Sequence, residues 1–73
     1  MNIFGKHLKL LRESGSLTQN QMAVILGITE RGYRAYENGT STPHFEKLLY
    51  LADYFNVSLD YLTGRTENPK ISK

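Results

Sequence analysis

Hydrophobic side chains recur every three or four residues along most of this chain, which is the spacing of one buried helical face. In the first such segment, residues 3–13, the apolar positions are Phe4, Leu8 and Leu11. Similar segments follow at residues 18–27, 29–38 and 43–56, and a shorter one covers residues 58–64. No segment alternates as a strand would. The pattern predicts an all-α fold, a compact domain of five helices.

Residues that start and stop helices separate these segments. Thr18 and Gln21 have the spacing of a capping box, in which hydroxyl and amide side chains bond the helix end reciprocally. Gly27 stands where that helix should stop, because glycine takes the left-handed conformation without a Cβ clash. Thr29 is a good N-cap for the third helix. Pro43, after a threonine, is predicted to be the first residue of the fourth helix.

The fourth helix is predicted to bury one apolar stripe, made of Phe45, Leu48, Leu49, Ala52 and Phe55. Beyond it and the short fifth helix, residues 65–73 contain a proline and no hydrophobic periodicity. We therefore expect one domain over residues 1–64 and a flexible tail over residues 65–73.

Length and composition narrow the class of protein. The chain has 73 residues and no cysteine, enough for one small domain without a disulfide or thiolate metal site. His7 and His44 are far apart and are expected at the surface, so no metal and no cofactor are predicted. No apolar run approaches the ~20 residues that span a membrane, and the N-terminus lacks a secretory signal. A cytoplasmic location is expected.

The charge balance decides little, whereas the candidate catalytic groups argue against an enzyme. Nine Lys and Arg residues against seven Asp and Glu give a net charge of +2, which is compatible with nucleic acid without establishing it. Asp53 and Asp60, or Ser14 and Ser16, have no base and orienting group around them. The chain also has no glycine-rich phosphate loop. No catalytic residue is predicted.

Residues 19–38 form two predicted helices around a short turn containing Gly27, the arrangement of a helix-turn-helix unit. The chain resembles the lambda-repressor and Cro family of helix-turn-helix regulators, also called the XRE family. The matching residues are Phe4-Gly5, Leu8, Leu11-Arg12, Leu17-Thr18-Gln19, Met22-Ala23, Leu26-Gly27-Ile28, Tyr36-Glu37-Asn38-Gly39, Pro43, Leu51-Ala52 and Val57-Ser58-Leu59-Asp60-Tyr61-Leu62. Their order covers about residues 3–64.

The resemblance implies that the third helix enters the major groove of double-stranded DNA. Arg31 is the best candidate base reader, because arginine is bidentate to guanine. Glu30 would accept from a cytosine amino group or hold Arg31 in place. The implied DNA-binding set is Gln19, Thr29, Glu30, Arg31, Arg34, Asn38, Thr40 and Ser41, of which Gln19 and the last three would meet the DNA backbone.

Two inner positions follow from the same resemblance. Glu37 is expected to form an ion pair with Arg12, tying the first helix to the third. Tyr33 stands where the family usually has Ile or Val, and we expect its ring to be buried with its hydroxyl still in contact with water.

The implied function is transcription regulation, as a repressor of bacterial, phage or mobile-element origin. It would act on a partly palindromic operator as a homodimer, through the last helix around Tyr61. The alternative is a protein-interaction module, such as an antitoxin, that holds a protein partner through the fourth and fifth helices.

Overall fold

The computed structural model describes residues 3–70, in which five helices follow one another without a strand. They are α1 (Ile3–Ser14), α2 (Gln19–Leu26), α3 (Glu30–Asn38), α4 (Phe45–Phe55) and α5 (Leu59–Thr63). The predicted all-α fold of five helices is confirmed. Residues 1–2 and 71–73, which belong to the predicted domain and tail, lie outside the described residues.

Both ends of α2 form as the sequence predicts. Thr18 Oγ1 accepts from the N–H of Gln21 at 3.0 Å, and Gln21 Oε1 accepts from the N–H of Thr18 at 2.8 Å. Gly27 has a φ of 69°, and the N–H groups of Gly27 and Ile28 donate to carbonyls in the last turn of α2. These bonds satisfy end groups that a helix otherwise leaves free, so α2 stops sharply.

The core collects apolar side chains from all five helices: Phe4, Leu8, Met22, Ala23, Leu26, Tyr33, Leu51, Ala52 and Leu62. Gly5 lets α1 and α3 approach each other at backbone distance. A Cβ at Gly5 would lie 2.3 Å from the carbonyl oxygen of Glu37 and 2.8 Å from that of Tyr36. One side of α3 is thereby pressed against α1, which leaves its opposite side outward.

Helix α4 departs from the sequence prediction in two ways. It begins at Phe45 with His44 as its N-cap, and not at Pro43. Phe45 and Leu49, expected on the buried stripe, are 63% and 41% exposed. The predicted stripe is therefore only partly correct: of its five members only Ala52 is buried, and Leu51, which it did not include, is the other buried residue of α4.

The expectation that His7 lies at the surface is wrong. His7 is buried, its ring stacks on Tyr61 with 4.1 Å between centroids, and its Nδ1 lies 2.5 Å from the carbonyl oxygen of Tyr61. A carbonyl only accepts, so Nδ1 carries the hydrogen. His7 thus joins α1 to α5.

The first residues of the predicted tail contact the domain. The N–H of Ser58 donates to the carbonyl of Pro69 at 2.9 Å, and Glu67 lies 3.7 Å from Nε2 of His7. Flexibility of the tail stays a prediction. Within residues 3–70, no helix has both the length and the apolar character needed to cross a bilayer.

Candidate nucleic-acid interface

Helix α3 has an inner face and an outer face with opposite environments. On the inner face the ring of Tyr33 is 0% exposed and meets Tyr36 edge to face. On the outer face Arg31 and Arg34 are exposed and Glu30 is half-buried. The inner face anchors the helix, and the outer face is open to a partner.

The inner face carries a charged network centred on Glu37. Arg12 Nε donates to Glu37 Oε2 at 2.6 Å, and Arg12 also donates to the carbonyl of Leu17 at 2.8 Å. Tyr33 donates its hydroxyl hydrogen to Glu37 Oε2 at 2.5 Å. Gln19 Nε2 donates to Glu37 Oε1 at 3.1 Å. The predicted Arg12–Glu37 pair is confirmed, and α1, α2 and α3 are joined at one carboxylate.

The hydroxyl of Tyr33 is therefore not in contact with water, contrary to the sequence expectation. A buried phenol needs a hydrogen-bond acceptor, and Glu37 one turn later on α3 supplies it. Sequence reasoning missed this pairing although the two residues stand four apart, the spacing of helical neighbours.

The ionisation of this network follows from its surroundings. Burial alone would raise the pKa of Glu37, but hydrogen bonds from Arg12, Tyr33 and Gln19 lower the pKa below its ordinary value. The pKa of Tyr33 is raised, first by burial and then by its bond to Glu37. The bond to Glu37 also raises the pKa of Arg12. Glu37 is thus an anion that accepts, and Tyr33 is a neutral donor.

The outer face begins with a capped helix end. Thr29 Oγ1 accepts from the N–H of Gly32 at 3.0 Å. One of the two alternatives from the sequence was that Glu30 holds Arg31, and this alternative is wrong. The carboxylate of Glu30 instead receives Asn20 Nδ2 at 3.3 Å and lies 3.5 Å from Arg34 Nη1. Within residues 3–70, Arg31 has no hydrogen-bond or ion-pair partner, so its guanidinium is free.

Three of the predicted residues line one shallow cavity of about 320 Å³ at the edge of α3: Gln19, Arg34 and Asn38, together with Lys9 and Glu37. Lys9 was not among the predicted residues. Its position on α1 one turn before Arg12 was the available signal, because that face of α1 packs on α3. The cavity carries two cationic side chains, from Lys9 and Arg34, at an exposed rim.

The predicted loop residues follow α3 directly. Asn38 Oδ1 accepts from both the N–H of Thr40 at 3.1 Å and its hydroxyl at 2.8 Å. The N–H groups of Gly39, Thr40 and Ser41 all point to the carbonyl of Ala35. The loop is therefore a shaped turn, with the side chains of Asn38, Thr40 and Ser41 exposed.

The arrangement places hydrogen-bond donors and cationic side chains on one exposed side of α3, which suits an anionic, grooved partner better than a small substrate. Among residues 3–70 no group of three His, Cys, Asp or Glu side chains could hold a metal ion. Asn20 is the second residue that sequence reasoning missed, because its partner Glu30 lies ten positions away on another helix.

Comparison with known proteins gives relatives of the same kind. The chain is 41% identical over 69 residues to the uncharacterized HTH-type transcriptional regulator YqaE of Bacillus subtilis (strain 168), covering 94% of this chain and 60% of the relative. It is 39% identical over 62 residues to the antitoxin PezA of Streptococcus pneumoniae, covering 85% of this chain and 39% of that protein. It is 41% identical over 54 residues to the phage CTXphi transcriptional repressor RstR of Vibrio cholerae, covering 74% of this chain and 48% of that one.

A solved structure agrees with these relatives. A transcriptional regulator from Listeria innocua superimposes with a TM-score of 0.79 at 36% identity, covering 84% of this chain and 57% of that one. The chain thus spans only about half to three fifths of several relatives. The helix-turn-helix family HTH_3 matches residues 8–62, from the middle of α1 to α5. The chain belongs to the helix-turn-helix family, as its resemblance to lambda-repressor and Cro-like regulators predicts.

Proposed function

We propose that this chain binds double-stranded DNA in a sequence-specific manner and regulates transcription in the cytoplasm, as a repressor of bacterial, phage or mobile-element origin. The observation that carries the proposal is Arg31, an exposed guanidinium on the outer face of α3 without a partner in residues 3–70. The repressor RstR among the relatives supports the direction of regulation. Neither a cofactor nor catalysis is part of this function.

The dimensions of α3 suit the groove. A helix with its side chains is about 10–12 Å across, and the major groove is about 12 Å wide, so α3 can lie in it. Arg31 reads guanine through O6 and N7, and Glu30 accepts from a cytosine amino group. Thr29 lies at the same end of the helix and contacts the groove edge.

The remaining predicted residues set the register of the helix on the DNA backbone. Gln19, Arg34 and Asn38 line one cavity, and Thr40 and Ser41 extend the surface into the loop. Phosphate contacts of this kind position a protein without reading sequence, and they make its affinity fall steeply with salt.

We propose further that the chain binds a partly palindromic operator as a homodimer, with half-sites about 34–36 Å apart. The last helix, around Tyr61, is the proposed contact. One face of the Tyr61 ring stacks on His7, so a partner would meet only the part of the ring that His7 leaves uncovered.

A protein-interaction module remains the second candidate, and two observations favour it. The antitoxin PezA is among the relatives. In addition, α4 exposes Phe45, Leu49, Tyr50 and Tyr54, a concentration of large apolar side chains that is typical of protein contacts.

A selection on randomised duplex DNA at about 100 mM salt separates the two candidates. It is run for the wild type, for Arg31→Ala and for the matched control Arg65→Ala, which removes the same charge from an exposed position beyond α5. We expect the wild type and Arg65→Ala to enrich one two-fold symmetric site. We expect Arg31→Ala to lose about fivefold to 150-fold of the discrimination at one guanine.

Thermal unfolding of all three proteins controls for folding. If the wild type enriches no sequence, DNA reading is not the function and the protein-interaction module takes its place. If Arg31→Ala and Arg65→Ala enrich the same site with the same base preference, Arg31 is not the base reader.

A further inference from the structure

The carboxylate of Glu30 is held from two helices before any DNA is present. Asn20, the second residue of α2, donates Nδ2 to Oε1 at 3.3 Å. Arg34, one turn further along α3, brings Nη1 to 3.5 Å from Oε2. Each oxygen therefore has one partner, one from α2 and one from α3.

We propose that Asn20 is a positioning residue for base recognition: it orients Glu30 so that the carboxylate selects a base edge bearing an amino group. This inference rests on the proposed DNA-binding function and deepens it. Asn20 itself touches no base in this arrangement, and acts through Glu30.

The remaining acceptor capacity of Glu30 makes this selection chemically sensible. An ionised carboxylate offers about four lone-pair positions, of which the contacts to Asn20 and Arg34 occupy two. A third donor, such as the N4 amino group of cytosine, can still be accepted. Guanine and thymine present acceptors in the major groove, and these repel the carboxylate. Glu30 thus selects both by attraction to one edge and by repulsion from others.

The bond from Asn20 to Glu30, here called the brace, matters because a free glutamate side chain is flexible. Ordering a glutamate side chain costs rotamer freedom, and a contact formed before binding reduces what must be ordered at the DNA. Without Asn20 the carboxylate can follow Arg34 alone, along α3 and away from the end of the helix. The affinity for any DNA then changes little, whereas the preference at one base pair weakens.

The test compares Asn20→Ala and Asn20→Asp with the matched control Val24→Ala, an exposed position on the same helix. Asn20→Asp is nearly isosteric, removes the donor and adds a like charge beside Glu30. Aspartate near a helix N-terminus is favourable for folding, so the fold is kept while the brace is lost. The readout is the base preference from the selection on randomised duplex DNA, together with the affinity for a duplex of unrelated sequence.

We expect Asn20→Ala to weaken the preference for the amino-bearing base by roughly threefold to tenfold at one position, and Asn20→Asp to weaken it more. Affinity for unrelated DNA should stay within about twofold for Asn20→Ala. In a Glu30→Ala background, the substitution at Asn20 should cause no additional loss, because the two residues act as one unit.

Three results would overturn the inference. One is a wild type that enriches a site while Asn20→Ala enriches it with the same preference, which leaves the proposed function intact. Another is an equal loss of affinity on all sequences, which makes Asn20 a backbone contact or a purely structural residue. The third is a wild type that enriches no sequence, in which case the proposed function fails as well.

Discussion

Helix α3 takes part in two arginine–glutamate pairs that differ in distance, in exposure and in the helices that they join. Arg12 Nε and Glu37 Oε2 are 2.6 Å apart, and the two side chains are 11% and 6% exposed. Arg34 Nη1 and Glu30 Oε2 are 3.5 Å apart, and those side chains are 53% and 39% exposed. The first pair lies between helices, and the second spans one turn of a single helix.

The difference shows how one helix serves both the fold and its partner. A buried pair is weakly screened by water, so the loss of one member leaves an uncompensated charge in the interior. An exposed pair contributes little, because water screens it and its side chains must be ordered. The inner pair therefore holds α3 in place, while Arg34 and Glu30 stay exposed on the face that is proposed to meet DNA.

The strongest test of the difference between the two pairs is Arg12→Ala. It leaves Glu37 buried without its cation, and it also removes the bond to the carbonyl of Leu17. We expect a loss of about 3–5 kcal/mol in the free energy of unfolding, measured by urea denaturation. The matched control is Arg34→Ala, which makes the same change in the exposed pair. Equal losses in the two variants would contradict the distinction.

A second test concerns the close approach of α1 to α3, which brings Arg12 to Glu37. Gly5→Ala would place a Cβ within 2.3 Å of a carbonyl oxygen in α3, so the helices must separate. We expect a loss of about 1–3 kcal/mol, read from the same denaturation curves. Gly15→Ala is the control, because its Cβ would lie 3.6 Å from the carbonyl oxygen of Arg12, an ordinary van der Waals distance. A Gly5→Ala protein as stable as that control would mean that the close approach is not required.

Acid should act on the inner pair through Glu37. The pKa of Glu37 is lower in the folded chain than its ordinary value of 4.5, so the ionised form stabilises the fold above that value. Stability should fall as the pH drops below about 4.5 and passes through the folded pKa, where Glu37 takes up a proton. Melting temperatures measured from about pH 7 to about pH 3 give the profile. Glu37→Gln should flatten this profile.

The smallest effect on folding is expected from Arg34→Ala, within about 0.5 kcal/mol. The same variant also tests the role of the outer pair in DNA binding. If Arg34 meets a phosphate, the variant should bind all sequences more weakly, and the slope of log affinity against log salt should fall by about one. A change in base preference without a change in slope would assign Arg34 to base reading instead.

The sequence by itself determined the five helices and most of their ends. The capping box of Thr18 and Gln21, the left-handed Gly27 and the N-cap Thr29 depend on residues within a few positions of each other. Such local rules act in the same way in any surroundings, so the five helices could be predicted. The Arg12–Glu37 pair came from the resemblance to a family, and the structure confirms it.

Only the tertiary structure decided which side chains those helices bring together. His7 is buried because α5 crosses α1 at that position, and Phe45 is exposed because the core ends before it. The hydroxyl of Tyr33 finds Glu37 because Arg12 fixes the carboxylate there. Asn20 reaches Glu30 because the turn at Gly27 folds α3 back across the start of α2. Contacts of this kind depend on the angles and distances between helices, which the spacing of residues along the chain does not specify.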